Sequence, residues 1–148
     1  MKLTTYTDFG LRTLMYLATL PADKLTSVAQ VATLYSVSRN HLVKVVNQLA
    51  REGYIKAIRG KNGGIKLGRP AQKINVGEVI RSLEGNLDGI DCGSPACYLV
   101  RVCRLKSALK EAMDAFISVM EEYTLADLIA NEDELMVIFT DRESKLES

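Results

Sequence analysis

The fold is decided by Ser27-Val28-Ala29-Gln30-Val31-Ala32-Thr33-Leu34-Tyr35-Ser36-Val37-Ser38-Arg39-Asn40-His41-Leu42-Val43-Lys44-Val45-Val46-Asn47-Gln48-Leu49-Ala50-Arg51. Ser27 followed three residues later by Gln30 is a capping box, in which each side chain satisfies the other residue's backbone N–H. It opens a short helix that runs to about Leu34. Tyr35-Ser36-Val37 is a tight turn, and Ser38 caps a second helix from Arg39 to about Arg51. Val37 before the cap and Leu42 at the fourth helical position form a hydrophobic staple. Leu42, Val45, Val46 and Leu49 recur at helical spacing as an inner stripe. That leaves Arg39, Asn40, His41, Lys44, Asn47 and Gln48 for the outer face. Two short helices so spaced, the second capped and polar outside, predict a helix-turn-helix whose second helix enters a major groove.

Downstream, Gly53 ends that helix. Tyr54–Ile58 and Ile65–Leu67 read as short strands around Arg59-Gly60-Lys61-Asn62-Gly63-Gly64, and Asn-Gly between apolar runs is a strong hairpin signal. A basic hairpin placed here is a wing. Arg59 and Lys61 can reach phosphates or a minor groove from it, while Asn62, Gly63 and Gly64 set its turn. Upstream, residues 8–20 predict a helix with Leu11, Leu14, Met15 and Ala18 buried. Thr7 is its expected cap, Asp8 suits its positive end, and Pro21 follows as a stop. Val76–Leu83 is a further short helix after Arg69-Pro70. From Arg104 to about Tyr123 a long helix carries Leu105, Ala108, Leu109, Ala112, Phe116, Ile117 and Met120. So long an apolar stripe beside a small domain predicts pairing with a second copy of the chain. Thr124–Ala130 is a short closing helix. Residues 131–148 are expected to be an acidic tail, with Leu135–Phe139 able to dock and the last eight residues mobile. The fold class expected is mainly α with a small β-hairpin wing. Its parts are a winged helix-turn-helix over 1–75, a connecting helix and cysteine loop over 76–103, a dimerisation and closing helix over 104–130, and the tail.

Charge supports nucleic-acid binding. Residues 1–75 hold 12 Lys and Arg against 3 Asp and Glu, whereas residues 76–148 hold 7 against 15. A net charge of only +1 therefore hides a basic N-terminal half, the electrostatic footprint of a DNA-binding module. The chain has no run of about 18 apolar residues, so no membrane span is expected. Met1-Lys2-Leu3-Thr4-Thr5 lacks the apolar stretch of a secretion signal, and a cytoplasmic location is expected. No nucleophile–base pair, phosphate-binding glycine loop or paired carboxylate appears, so an enzyme is not expected.

All three cysteines fall in Cys92-Gly93-Ser94-Pro95-Ala96-Cys97-Tyr98-Leu99-Val100-Arg101-Val102-Cys103, spaced C-x4-C-x5-C. Isolated reduced thiols are common small core residues, but Gly93-Ser94-Pro95-Ala96 is loop material. Structural zinc wants four ligands, commonly in close pairs, and here there are three well-spaced thiols. Thiolates also select iron–sulfur clusters. A four-iron cluster fits three cysteines and one other group better than zinc does, and a two-iron cluster stays open. Asp8, Asp88 and Asp91 are all available as the fourth ligand.

Thr7-Asp8-Phe9-Gly10-Leu11-Arg12, Ser38-Arg39-Asn40-His41-Leu42-Val43-Lys44, Arg59-Gly60-Lys61-Asn62-Gly63-Gly64, Tyr123-Thr124-Leu125-Ala126-Asp127-Leu128 and the cysteine spacing together resemble the NsrR group of nitric-oxide-sensing repressors. That group belongs to a bacterial winged-helix iron–sulfur family that also includes the IscR regulators. The resemblance spans about residues 1–130 and leaves the acidic tail unmatched. It implies a homodimer with a cluster in each subunit, held by Cys92, Cys97 and Cys103 and by Asp8 of the second subunit. It implies repression at inverted-repeat operators in double-stranded DNA, released by nitric oxide. The reading of the capped helix and the wing places DNA contacts on Ser38, Arg39, Asn40, His41, Lys44, Arg59, Lys61, Asn62 and Gly63. IscR-type sensing of cluster supply is the alternative, as is a cluster-free thiol sensor. IscR, however, uses a histidine beside its cysteines, and the single histidine here, His41, opens the recognition helix.

Overall fold

The computed structural model describes residues 2–148. In chain order it comprises α1 (Thr5–Thr19), α2 (Val28–Tyr35), α3 (Arg39–Arg51), β1 (Ile55–Ile58), β2 (Gly64–Leu67), α4 (Val76–Leu83), α5 (Arg104–Met120), α6 (Leu125–Leu128) and α7 (Glu132–Glu147). A single 3-10 turn at Ala71–Lys73 joins β2 to α4. The two strands pair antiparallel, Ile55 opposite Leu67 and Ile58 opposite Gly64. This mainly helical chain with one hairpin is a winged helix-turn-helix.

The α2–turn–α3 unit forms as its caps predict. Ser27 and Gln30 make both bonds of the capping box, with the Gln30 N–H 3.0 Å from Ser27 Oγ. Ser36 turns the chain in the left-handed region at φ 56°. Ser38 Oγ then accepts the His41 N–H at the start of α3. Leu42, Val45, Val46 and Leu49 are all buried.

Helix α1 is the centre of the core. Leu14 and Leu17 pack with Val31 and Leu34 of α2, Leu42, Val45 and Leu49 of α3, Ile65 of the hairpin, Val79 and Leu83 of α4, and Leu125 of α6. Gly10 makes the close approach feasible. A Cβ there would lie 2.4 Å from Leu83 and 3.2 Å from Val45, so α1 touches α3 and α4 through bare backbone. The cap of α1 is Thr4, not the expected Thr7. Thr4 Oγ1 accepts the Thr7 N–H, and Thr7 is fully buried in the first turn. Two threonines three apart offer the same local signal, and burial of the second decides which one caps. Because α1 has neighbours on several sides, its buried face also includes Thr13, Tyr16 and Thr19, and the expected stripe positions Leu11, Met15 and Ala18 are only partly covered.

A second cluster joins α4 to α5 through Val76, Ile80 and Ile117, with Phe116 and Met120 partly covered beside them. Helix α5 ends at Met120, short of Tyr123. Only Met113 and Ile117 of α5 are buried, while Leu105 and Val119 stand exposed on another face. The largest departure is at the C-terminus. Instead of an acidic tail with only a dockable Leu135–Phe139 segment and a mobile last eight residues, residues 132–147 form one helix, α7. Its acidic start, Glu132-Asp133-Glu134, suits a helix N-terminus, and Asp141–Lys145 pair one turn apart. Its hydrophobic periodicity is weak, which hides a helix from pattern reading. Phe139 meets Tyr16 edge-on with ring centroids 5.1 Å apart. Among the described residues, no helix is long and apolar enough to cross a membrane.

Candidate nucleic-acid interface and thiol loop

Along α3, the inward stripe fixes which side chains remain outside. Ser38, Arg39, Asn40, Lys44 and Asn47 are exposed. His41 differs from the expectation of an open outer position. Its ring is half-buried against Phe9 at 5.5 Å and Tyr6 at 6.3 Å, both from α1. Gln48 is likewise engaged. Its amide nitrogen donates to the Ser82 carbonyl at 2.9 Å and to Glu52 at 3.1 Å, and Ser82 Oγ donates to Glu52. Tyr6 Oη donates to Gln48 Oε1 at 2.7 Å and lies 3.2 Å from the Lys44 carbonyl. Helix α3 is therefore held from behind by α1 and α4, which leaves Arg39, Asn40 and Lys44 facing outward.

The wing projects Arg59, Lys61 and Asn62 into solvent. Its loop runs from Arg59 to Gly63, longer than a two-residue Asn-Gly turn, and closes with the Gly63 N–H on the Gly60 carbonyl at 3.0 Å. Positive φ falls at Gly60 (107°) and Gly64 (157°), not at Gly63. Gly63 is required for another reason: a Cβ there would lie 2.1 Å from the Ile58 carbonyl. Arg69 was invisible to motif reading. Its guanidinium carbon stacks 4.5 Å over the Tyr54 ring, and it donates to the Glu52 and Gly53 carbonyls at 2.8 and 3.3 Å. It thus caps the C-terminal end of α3 and ties the base of the wing to it.

Cys92, Cys97 and Cys103 are half-buried free thiols on the loop between α4 and α5. The Cys97 N–H bonds the Cys92 carbonyl at 3.1 Å. Cys103 is the N-cap of α5, its Sγ accepting the Lys106 N–H at 3.4 Å. Thiolate is the form of cysteine that ligates metals. Asp91 accepts the Gly93 and Ser94 N–H groups at 2.8 and 3.3 Å and so shapes the loop start. Asp8 pairs with Arg12 on α1 at 2.8 Å. Among the described residues, no three Cys, His, Asp or Glu side chains gather as a metal-binding group within the chain. The donors are right in kind for an iron–sulfur cluster and share one segment, but a single chain leaves them spread. Exposed Tyr98, Leu99 and Val102 surround them, side chains that a monomer leaves in water.

A helical core built around α1, a helix α3 with Arg39, Asn40 and Lys44 exposed, and a basic wing define a winged-helix regulator of transcription. A family model for Rrf2, described as an iron-dependent transcriptional regulator, matches residues 3–131, and the chain belongs to the Rrf2 family. Among solved structures it is similar to IscR from T. potens, at 27% identity over 91% of this chain and 90% of that one, with a TM-score of 0.72. CymR (YrzC), the global cysteine regulator of B. subtilis, matches at 28% identity over 88% and 98%, with a TM-score of 0.61. The oxidized form of Staphylococcus aureus CymR matches at 29% identity over 86% and 95%, with a TM-score of 0.68.

Proposed function

We propose that this Rrf2 regulator is a homodimeric repressor that holds an iron–sulfur cluster and leaves its inverted-repeat operator in response to nitric oxide. The observation that carries the reading is the loop itself: three half-buried thiols, the last capping α5, inserted between the helix that braces α3 and the helix with an exposed apolar face. Cys92, Cys97 and Cys103 are the proposed thiolate ligands, with Asp8 of the second subunit as the fourth. A four-iron cluster suits this donor set better than a two-iron one. When bound, the cluster supplies iron that takes nitric oxide as a ligand. The chain's own residues supply the readout. Ser82, two residues before the loop that leads to Cys92, is bonded to Gln48 of α3, so movement of the loop bears directly on the recognition helix. His41, packed on Phe9 and Tyr6, is already engaged, which speaks against an IscR-like histidine ligand. Arg39, Asn40 and Lys44, with Arg59, Lys61 and Asn62 on a wing shaped by Gly63, form the proposed DNA contacts.

A cluster-free thiol sensor is the second reading. It is favoured by the spread of the three sulfurs within one chain and by similarity to CymR in an oxidized form. Anaerobic purification with iron and acid-labile sulfide analysis separates the two. The first reading expects coloured protein carrying both elements, lost in Cys92→Ala, Cys97→Ala and Cys103→Ala alike. Colourless protein whose DNA binding responds to peroxide supports the second.

A further inference from the structure

Helix α7 lies beyond the family-matched residues 3–131, yet it is seated on the DNA-binding half of the chain. Phe139 meets Tyr16 of α1 and Tyr35 of α2 edge-on, at 5.1 and 6.3 Å between ring centroids. The Tyr16 hydroxyl donates to the Glu143 carboxylate. Arg142 Nε donates to the Leu34 carbonyl at 3.1 Å, and its Nη2 donates to Ser36 Oγ. The arginine contacts converge on one place, the end of α2 and the residue that turns the chain into α3.

That place is satisfied only in part by its own backbone: the Ser36 and Val37 N–H groups close on the Thr33 and Ala32 carbonyls, while the Leu34 carbonyl takes its bond from Arg142. Ser36 is the one non-glycine residue with positive φ among the described residues, at 56°, a conformation that L-residues with a Cβ adopt only when their surroundings enforce it. The last carbonyls of a helix lack intrahelical partners, and its C-terminus is negative. Helix α2 has no basic residue of its own in its last turn. Arg142, 108 positions downstream of Leu34, brings a cation and charge-assisted bonds to that end.

We infer that α7 is an intramolecular clamp on the helix-turn-helix, with Arg142 and Phe139 as positioning residues that fix the angle at which α3 meets DNA. The inference rests on the reading of α3 as the recognition helix and adds a control point outside the family-matched residues. Base contacts depend on fine seating of the first turn of α3, whereas phosphate contacts tolerate small shifts. Loosening the clamp should therefore reduce discrimination more than general DNA affinity.

The test uses full-length protein and Arg142→Ala, Arg142→Lys and Phe139→Ala, well below their melting temperatures. Each is bound to a duplex selected from a random DNA pool by the wild-type chain, and to a scrambled duplex of equal composition. Amide hydrogen exchange is followed at Ser36 and Val37 in the free proteins. Arg142→Ala is expected to exchange faster at both amides. It should bind the selected duplex about tenfold more weakly, the scale of one lost charge-assisted bond, with scrambled binding changed less than about twofold. Arg142→Lys should recover part of the loss, and Phe139→Ala should shift both readouts in the same direction as Arg142→Ala. Unchanged exchange, or equal loss on both duplexes, overturns the clamp. If wild type does not distinguish the duplexes, the reading of α3 fails, and the exchange result still decides whether α7 holds the turn.

Discussion

Arg39, Asn40 and Lys44 sit exposed on the first turns of a helix whose other side is buried. Losing a base-reading Arg39 should cost roughly 1–3 kcal/mol at the operator and relax one position of specificity. Lys44→Ala should weaken all sequences alike and reduce the salt slope by about 0.9, the share of one phosphate contact. Fluorescence anisotropy over a salt series, on operator and random duplexes, separates the two; unchanged discrimination in Arg39→Ala argues against α3 as the reader. Two of the three candidate aspartates have a local partner: Asp8 has Arg12, and Asp91 has the Gly93 and Ser94 amides. If Asp8 is the fourth ligand, Asp8→Ala alters the cluster spectrum and nitric-oxide rate more than Asp91→Ala does. The reverse order removes Asp8 from the site. His41 shows what residue-level reading misses. Its place at the helix start was legible, but its packing on Tyr6 and Phe9 depends on α1, about 35 positions upstream.

At the scale of elements, α2 and α3 were legible almost to the residue because their signals are local: two caps, a staple and one stripe. The wing was legible as a hairpin but not in its loop length, since Gly63 is demanded by the Ile58 carbonyl across the turn. Gly63→Val should therefore distort the wing tip and weaken DNA binding several-fold while the helical circular dichroism persists. Unaltered footprint protection at the operator flank counts against the wing. Of α7 only the docking of the Leu135–Phe139 segment was legible, through Phe139; the helix was not, because acidic residues obscure its weak periodicity, and the polar part of its dock rests on Arg142 and Glu143. Burial, reinforced by Glu143, raises the Tyr16 phenol above the usual tyrosine range, so it stays a neutral donor to that helix. Helix α5 leaves Leu105 and Val119 exposed while Ile117 faces α4. If that outer face pairs with a second copy, Val119→Glu should yield monomer by analytical ultracentrifugation and lose operator binding. A dimer that survives Val119→Glu places the interface elsewhere.

Across the whole molecule, the basic half carries α3 and the wing, and the acidic half carries the cysteine loop, α5 and α7. The two halves meet where α4 braces α3 through Ser82 and Gln48, immediately before the thiol loop. The sequence places the three cysteines on one segment, but among the described residues they do not gather as a metal-binding group within one chain, and their spacing alone does not set how such a loop folds. In the proposed function, the thiol loop gates DNA binding through a nitric-oxide-sensitive cluster. This gating is tested most directly by titrating anaerobically purified protein with nitric oxide while recording visible absorbance and operator binding in the same samples. The account predicts loss of the iron–sulfur absorbance and of operator affinity in step. Protein without iron and sulfide, or operator binding that persists after the absorbance is gone, contradicts it.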